Sequence, residues 1–192
     1  AMEVLSSVEE ELPMVTDPRI RIFTQLVKSR TLISAGDLER LQIEVKKGIE
    51  ISLYEGINDF LGDLYNIRGI SEAMFGNYKV ALDFYNISID AFRKSDREFE
   101  MVKPTNNIGN LYNEIYGRPK TALDYYYRSY EISEKYGLTS MQATFLNNIG
   151  EVYFTLQDYE SAKEYLLKAT ELGKVTGDKR LSFLSTVNLG MV

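Results

Sequence analysis

Asn148-Ile149-Gly150-Glu151-Val152-Tyr153-Phe154-Thr155-Leu156-Gln157-Asp158-Tyr159, continued by Ala162, Tyr165-Leu166 and Ala169, is the stretch that decides the fold. Its opening recurs. Asn66-Ile67-Arg68-Gly69, Asn107-Ile108-Gly109-Asn110 and Asn188-Leu189-Gly190-Met191 are versions of Asn148-Ile149-Gly150-Glu151. The glycines Gly69, Gly109, Gly150 and Gly190 step by 40, 41 and 40. Three further series keep the same steps: Leu41, Ala81, Ala122, Ala162; Gly48, Ser88, Ser129, Ala169; and Gly56, Asp96, Gly137, Gly177. Four series in phase mark a true internal repeat, and a period of this size means stacked supersecondary units. The one-residue surplus is assigned to the turn Ile115-Tyr116-Gly117-Arg118, where an insertion costs little.

Each repeat reads as two antiparallel helices. The glycine of the first helix lets the second pack close. The small residues of the second helix lie seven apart on one face, with large neighbours such as Leu82, Tyr85, Leu123, Tyr126, Tyr165 and Leu166 beside them. Turn signals fall between the helices. Asp37, Asn77 and Asp158 suit N-caps, and Pro119 suits a first helical turn. The fold expected is all-α, a right-handed α-α superhelix of about four helix pairs plus a truncated fifth. Its divisions are a tail or short helix over 1–17, then repeats near 18–56, 57–96, 97–137 and 138–177, with a partial one over 178–192. Ala1 before Met2 reads as a tag scar, and the uncapped end Leu189 to Val192 as a cut repeat.

This pattern resembles the tetratricopeptide repeat (TPR) from about Ile20 onward. The repeats at Asn107 and Asn148 carry it best. Arg68 and Glu72 depart from it in the second repeat, and Ser29 replaces the glycine in a diverged, capping first repeat. The resemblance implies protein or peptide binding. The 40-residue period implies long helices, as in kinesin-light-chain-like proteins, bacterial peptide-pheromone receptors and arms of bacterial signalling enzymes. The phrasing from Asn106-Asn107-Ile108 to Lys174-Val175-Thr176-Gly177 is most similar to N-terminal TPR arms that precede a diguanylate cyclase (GGDEF) or histidine kinase.

Composition narrows the chemistry. The 192 residues contain no Cys and no His, so disulfides, thiolates and the commonest general base are absent. No catalytic residue, metal site or cofactor is expected. Glu9-Glu10-Glu11 reads as a solvated run, and no Gly-rich phosphate loop is present. A net charge of −6 argues against nucleic acid and anionic membranes as partners. No stretch has the length of a membrane helix and the acidic start is no signal peptide, so a cytoplasmic address is expected. Asn86-Ile87-Ser88 fits a glycosylation sequon but falls within a helix. Lys46-Lys47 and Arg93-Lys94 are placed near helix ends, where cations complement the dipole.

By the resemblance, the first helix of each pair lines a partner-binding groove. The candidate residues are Asn107, Asn110, Asn113 and Glu114, with Asn148, Glu151, Phe154 and Thr155. An asparagine offers both a donor and an acceptor to a peptide backbone. Asn107 and Asn148 either form a ligand-facing ladder or bond across to the next helix; the sequence leaves both open. The groove lacks the Lys and Arg of chaperone-tail clamps. In the run Tyr125-Tyr126-Tyr127, Tyr126 and Tyr130 are placed on the core face and Tyr127 away from it. The apolar end Leu181, Phe183, Leu184 and Leu189 suggests a homodimer, and hence a structural adaptor as the alternative to a binding module.

Overall fold

The computed structural model describes residues 16–192, and they are helical throughout apart from short turns. The expected tail over 1–17 lies outside these residues except for its last two, as does Glu9-Glu10-Glu11. Two compact units divide at Arg97 and Glu98. The first holds α1 (Pro18–Ala35), α2 (Leu38–Glu55), α3 (Leu61–Met74) and α4 (Tyr78–Lys94). The second opens with a 3-10 turn (Glu98–Met101). It continues through α5 (Val102–Asn110), α6 (Pro119–Lys135), α7 (Thr139–Thr155), α8 (Tyr159–Thr176) and α9 (Lys179–Leu189).

Helix boundaries follow from local chemistry. The Asp17 carboxylate accepts from the Arg19 N–H at 2.8 Å just before Pro18, Asp37 accepts from Arg40 N–H at 3.2 Å, and Asp158 from Ser161 N–H at 3.2 Å. Asn77 differs from expectation. Its amide donates instead to the Glu72 carboxylate at 2.8 Å, a charge-assisted bond that outcompetes the cap. The turns take left-handed backbone at Gly36, Gly76, Gly117 and Gln157 within pairs, and at Gly56, Asp96, Gly137 and Gly177 after them.

Within each pair the first helix is notched so that the second can close on it. A Cβ at Gly69 would stand 2.5 Å from the Tyr85 ring, at Gly109 2.6 Å from the Tyr126 ring, and at Gly150 2.7 Å from Leu166. Those distances are too short for real carbon contacts, so only glycine fits. Ala81, Ala122 and Ala162 are fully buried beneath the same crossings. In the first pair Ser29 is buried with its hydroxyl returned to the Gln25 carbonyl at 2.7 Å. Ile22, Leu26, Leu41, Val45 and Leu64 form the core of the first unit; Tyr126, Ile149 and Val152 centre that of the second. Each such side chain contributes about 1.5–3 kcal/mol by leaving water. Four charged groups are buried in the first unit with partners, and two of them, Lys28 and Glu44, face each other at 3.8 Å. Asp63 is held by Arg30 at 2.7 Å and Arg97 at 3.0 Å, and Glu72 by Arg68 at 2.6 Å.

Three sequence expectations are corrected. The surplus residue does not sit in the turn Ile115–Arg118. From Gly69 to left-handed Gly76, and from Gly150 to left-handed Gln157, the chain runs seven residues; from Gly109 to left-handed Gly117 it runs eight. The extra residue is absorbed in the helix, as a π-helical turn over Leu111–Ile115. There the Tyr116 N–H donates five residues back to the Leu111 carbonyl at 3.0 Å. With the glycine crossing and the turn both fixed by packing, only the helix between them can take it up. Second, Tyr127 does not point to solvent. It is half-buried because α6 is covered by the next pair, and its hydroxyl bonds those of Tyr153 and Tyr165, each at 2.9 Å. Third, Lys46 and Lys47 sit mid-helix in α2, paired with Glu50 at 3.7 Å and Glu44 at 2.9 Å. Arg93 and Lys94 do close α4, and Asn86 lies within it, donating to the Leu82 carbonyl at 2.9 Å.

Candidate partner-binding face

The candidate residues come from α5, its π turn and α7, the first helices of the two complete pairs in the second unit. Each has a buried side set by its aliphatic residues: Ile108 on α5 and Leu111 at the start of its π turn, Ile149 and Val152 on α7. The asparagines lie beside those rows, half-buried at the seam between neighbouring first helices.

At that seam is an amide ladder with a repeating register. The Asn148 amide donates to the Asn106 carbonyl oxygen at 2.9 Å, and the Asn188 amide donates to that of Asn147 at 3.1 Å. In both, the residue two before the glycine of one repeat reaches the residue three before the glycine of the preceding repeat. Asn147 is buried and also donates to Glu151 at 2.9 Å; Asn188 donates to the same carboxylate. Asn106 and Asn147 are the residues the sequence reading missed. The signal was the doubled Asn106-Asn107 and Asn147-Asn148, each followed by Ile-Gly, of which only the second asparagine was read.

The remaining candidates separate into two groups. Asn110 takes the Tyr126 hydroxyl, and Glu114 and Glu151 act on that hydroxyl only through their charge. Tyr126 donates to the Asn110 carbonyl oxygen at 2.8 Å. Burial raises the phenol's pKa well above its usual value, and the carboxylates of Glu114 and Glu151 raise it further. Thr155 lies seven residues after Asn148, on the same side of α7, and its hydroxyl returns to the Glu151 carbonyl at 3.0 Å. Phe154 is not with them. It lies six residues from Asn148, two-thirds of the way around the helix, and packs edge-on against Tyr159 at 5.7 Å. Asn107 is half-buried and already engaged. Asn113 is half-buried and Glu114 exposed, both within the π turn.

An amide has more bonding capacity than the ladder consumes. Asn148 spends one N–H on Asn106, which leaves its second N–H and its oxygen; Asn106 keeps both N–H groups. The face therefore presents paired donors and acceptors flanked by carboxylates. It can bind an extended backbone and favour cationic side chains. Among the described residues no three His, Cys, Asp or Glu side chains are grouped to hold a metal, and no helix is long and apolar enough to cross a membrane. On α9, Phe183 is 72% exposed, Leu184 and Val187 are exposed as well, and Leu189 is half-buried; the side chain of Leu181 lies outside the described structure.

Comparison with known proteins places this geometry. Residues 143–172, which hold most of α7 and α8, match a tetratricopeptide repeat model. No curated protein matches the chain by sequence. Among solved structures, the chain is similar to a Signal Transduction ATPase with Numerous Domains from Pyrococcus horikoshii, described as having a tetratricopeptide repeat sensor. The match covers 98% of this chain and 28% of that one, at 19% identity and a TM-score of 0.81. Aspartyl phosphate phosphatase F from Bacillus subtilis is similar over 98% of this chain and 50% of its own, at 16% identity and a TM-score of 0.84. The kinesin light chain tetratricopeptide-like repeats of Podosopora anserina match over 91% and 86%, at 12% identity and a TM-score of 0.63. The chain thus spans about a quarter of the first of these proteins and half of the second. At these identities the likeness is one of fold: an all-helical solenoid of the tetratricopeptide type, with the repeat itself recognisable over residues 143–172.

Proposed function

We propose that this chain is a non-catalytic module that holds a protein or peptide partner on the α5–α7 face, and that it acts in the cytoplasm as the regulatory input region of a larger bacterial signalling protein. The partner binds as an extended segment. Its backbone pairs with the spare amide groups of Asn106, Asn110 and Asn148, and a Lys or Arg side chain seats between Glu114 and Glu151. The observation that carries this reading is the amide ladder with bonding capacity left over, on a face that also carries the Tyr126–Asn110 pair and the Glu151 carboxylate. The signalling context rests on the resemblance to arms of GGDEF and histidine kinase proteins, and on similarity to a protein described as carrying a tetratricopeptide sensor.

Selection of random peptides on the full chain tests it. Enriched sequences should carry basic residues and weaken as salt is raised. Asn148→Ala and Glu151→Gln should each cut affinity about tenfold while helicity is kept, the size expected for one charge-assisted bond. Peptides that bind both variants as well as the wild type would exclude this face. The exposed Phe183, Leu184 and Val187 favour a second reading, an adaptor that self-associates through α9. Light scattering showing a dimer that Phe183→Glu dissolves would select it.

A further inference from the structure

We propose that the first unit carries a separate site for a small apolar carboxylate, in the cleft between α3 and α4. The cleft has a volume of about 450 Å³, within the roughly 300–1,000 Å³ range of small-molecule sites. It is lined only by residues of that unit. Leu61, Ile87 and Ala91 form its apolar wall.

Its polar groups point to the ligand. Three residues that line the cleft carry side-chain donors without a partner among the described residues: Lys94, Asn58 and Tyr65. The Tyr65 ring is fixed by stacking on Phe84, with centroids 6.2 Å apart. The one carboxylate in the lining, Asp90, is paired with Arg93 at 2.6 Å, so it does not cancel Lys94. One unopposed cation, two neutral donors and an aliphatic wall are complementary to an anionic head on an apolar body. A carboxylate can accept several hydrogen bonds at once and forms an ion pair with Lys94 that a neutral amide cannot. Free carboxylic acids and apolar α-amino acids share this chemistry. They differ in the ammonium group, which would have to share Asp90 with Arg93. The site is independent of the α5–α7 face.

Isothermal titration of the full chain with 3-phenylpropionate, 3-phenylpropionamide and L-phenylalanine tests the assignment. The carboxylate should saturate one site in the millimolar range or below, and the amide should bind at least about tenfold more weakly. Lys94 is exposed, so Lys94→Gln should fold normally and lose about tenfold in affinity; Tyr65→Phe should lose a few-fold. Tighter binding of L-phenylalanine than of the acid, abolished by Asp90→Asn, would identify amino acids as the source; the reverse order would identify free acids. Either order upholds the site. No saturation by about 10 mM, or equal binding of acid and amide, or an unaffected Lys94→Gln, would overturn it. Peptide binding on the α5–α7 face should survive Lys94→Gln, so failure of one site is distinguishable from failure of the other.

Discussion

Gln157 has a backbone φ of 63°, and the aligned positions in the other pairs are Gly36, Gly76 and Gly117. A left-handed conformation costs an ordinary L-residue about 1–2 kcal/mol, and glycine almost nothing. Glycine also has more freedom to lose on folding, which offsets part of the gain. Gln157→Gly should therefore stabilise the protein by about 0.5–1 kcal/mol, a rise in Tm of roughly 1–4 °C for a chain of this size. A thermal melt that moves down, or not at all, would show that the turn is unstrained. Asp96, at φ 53°, should gain less from the same change because Asp tolerates this region. The strain was visible in the sequence once the repeats were aligned, since three glycines share the position. The pairing of Asn148 with Asn106 was not, because it depends on how far one first helix is displaced along its neighbour.

The π turn Leu111–Ile115 belongs to the scale of the element. Sequence period revealed that one residue was extra, but not whether a loop or a helix would hold it. Loops are the usual place, because insertion there disturbs least. Here the turn is already the common length, and the close contact of Gly109 with Tyr126 pins the helix upstream. The consequence is that Asn113 and Glu114 are rotated relative to their counterparts in α7. Deleting Asn113 should return the segment to α-helix, with the seven-residue spacing of the other pairs. The deletion variant should fold with a Tm within a few degrees of the wild type. It should lose affinity for any basic peptide selected on the intact chain, since Glu114 would be turned to a different side of the helix. Collapse of the fold on deletion would mean that the π turn is required for packing and not merely accommodated.

For the whole molecule, tyrosine sets the response to pH. The sequence has 14 tyrosines and no His, so nothing titrates between the carboxylates and the phenols but the chain's own amino terminus. Composition made that legible. Which tyrosines are buried was only partly so: Tyr85 and Tyr126 follow from the small-residue crossings, whereas the inward Tyr127 needed the second pair packed against α6. Burial raises the pKa of Tyr65, Tyr85, Tyr125, Tyr126 and Tyr127, and Tyr130 is pushed up to about 12 by burial and its bond to Glu134. Lys135 shifts the same way through its hydrogen bonds to Glu98 and Tyr136. In the unfolded chain these phenols ionise near pH 10. Above that pH the native state binds more protons than the unfolded state, so stability falls as pH rises. Below it both states are protonated at these groups and the contribution is fully present. Urea unfolding should therefore show a midpoint that these tyrosines leave flat between about pH 7 and pH 9 and that drops steeply from pH 10 to 12. Tyr127→Phe should lower the midpoint at pH 8, because two hydroxyl bonds linking α6 to α7 and α8 are lost, at about 0.5–1.5 kcal/mol each. The same variant should lose less than the wild type between pH 10 and 12, since one raised phenol is gone. Parallel curves for the two proteins would show that Tyr127 is not among the groups that make the fold sensitive to alkali.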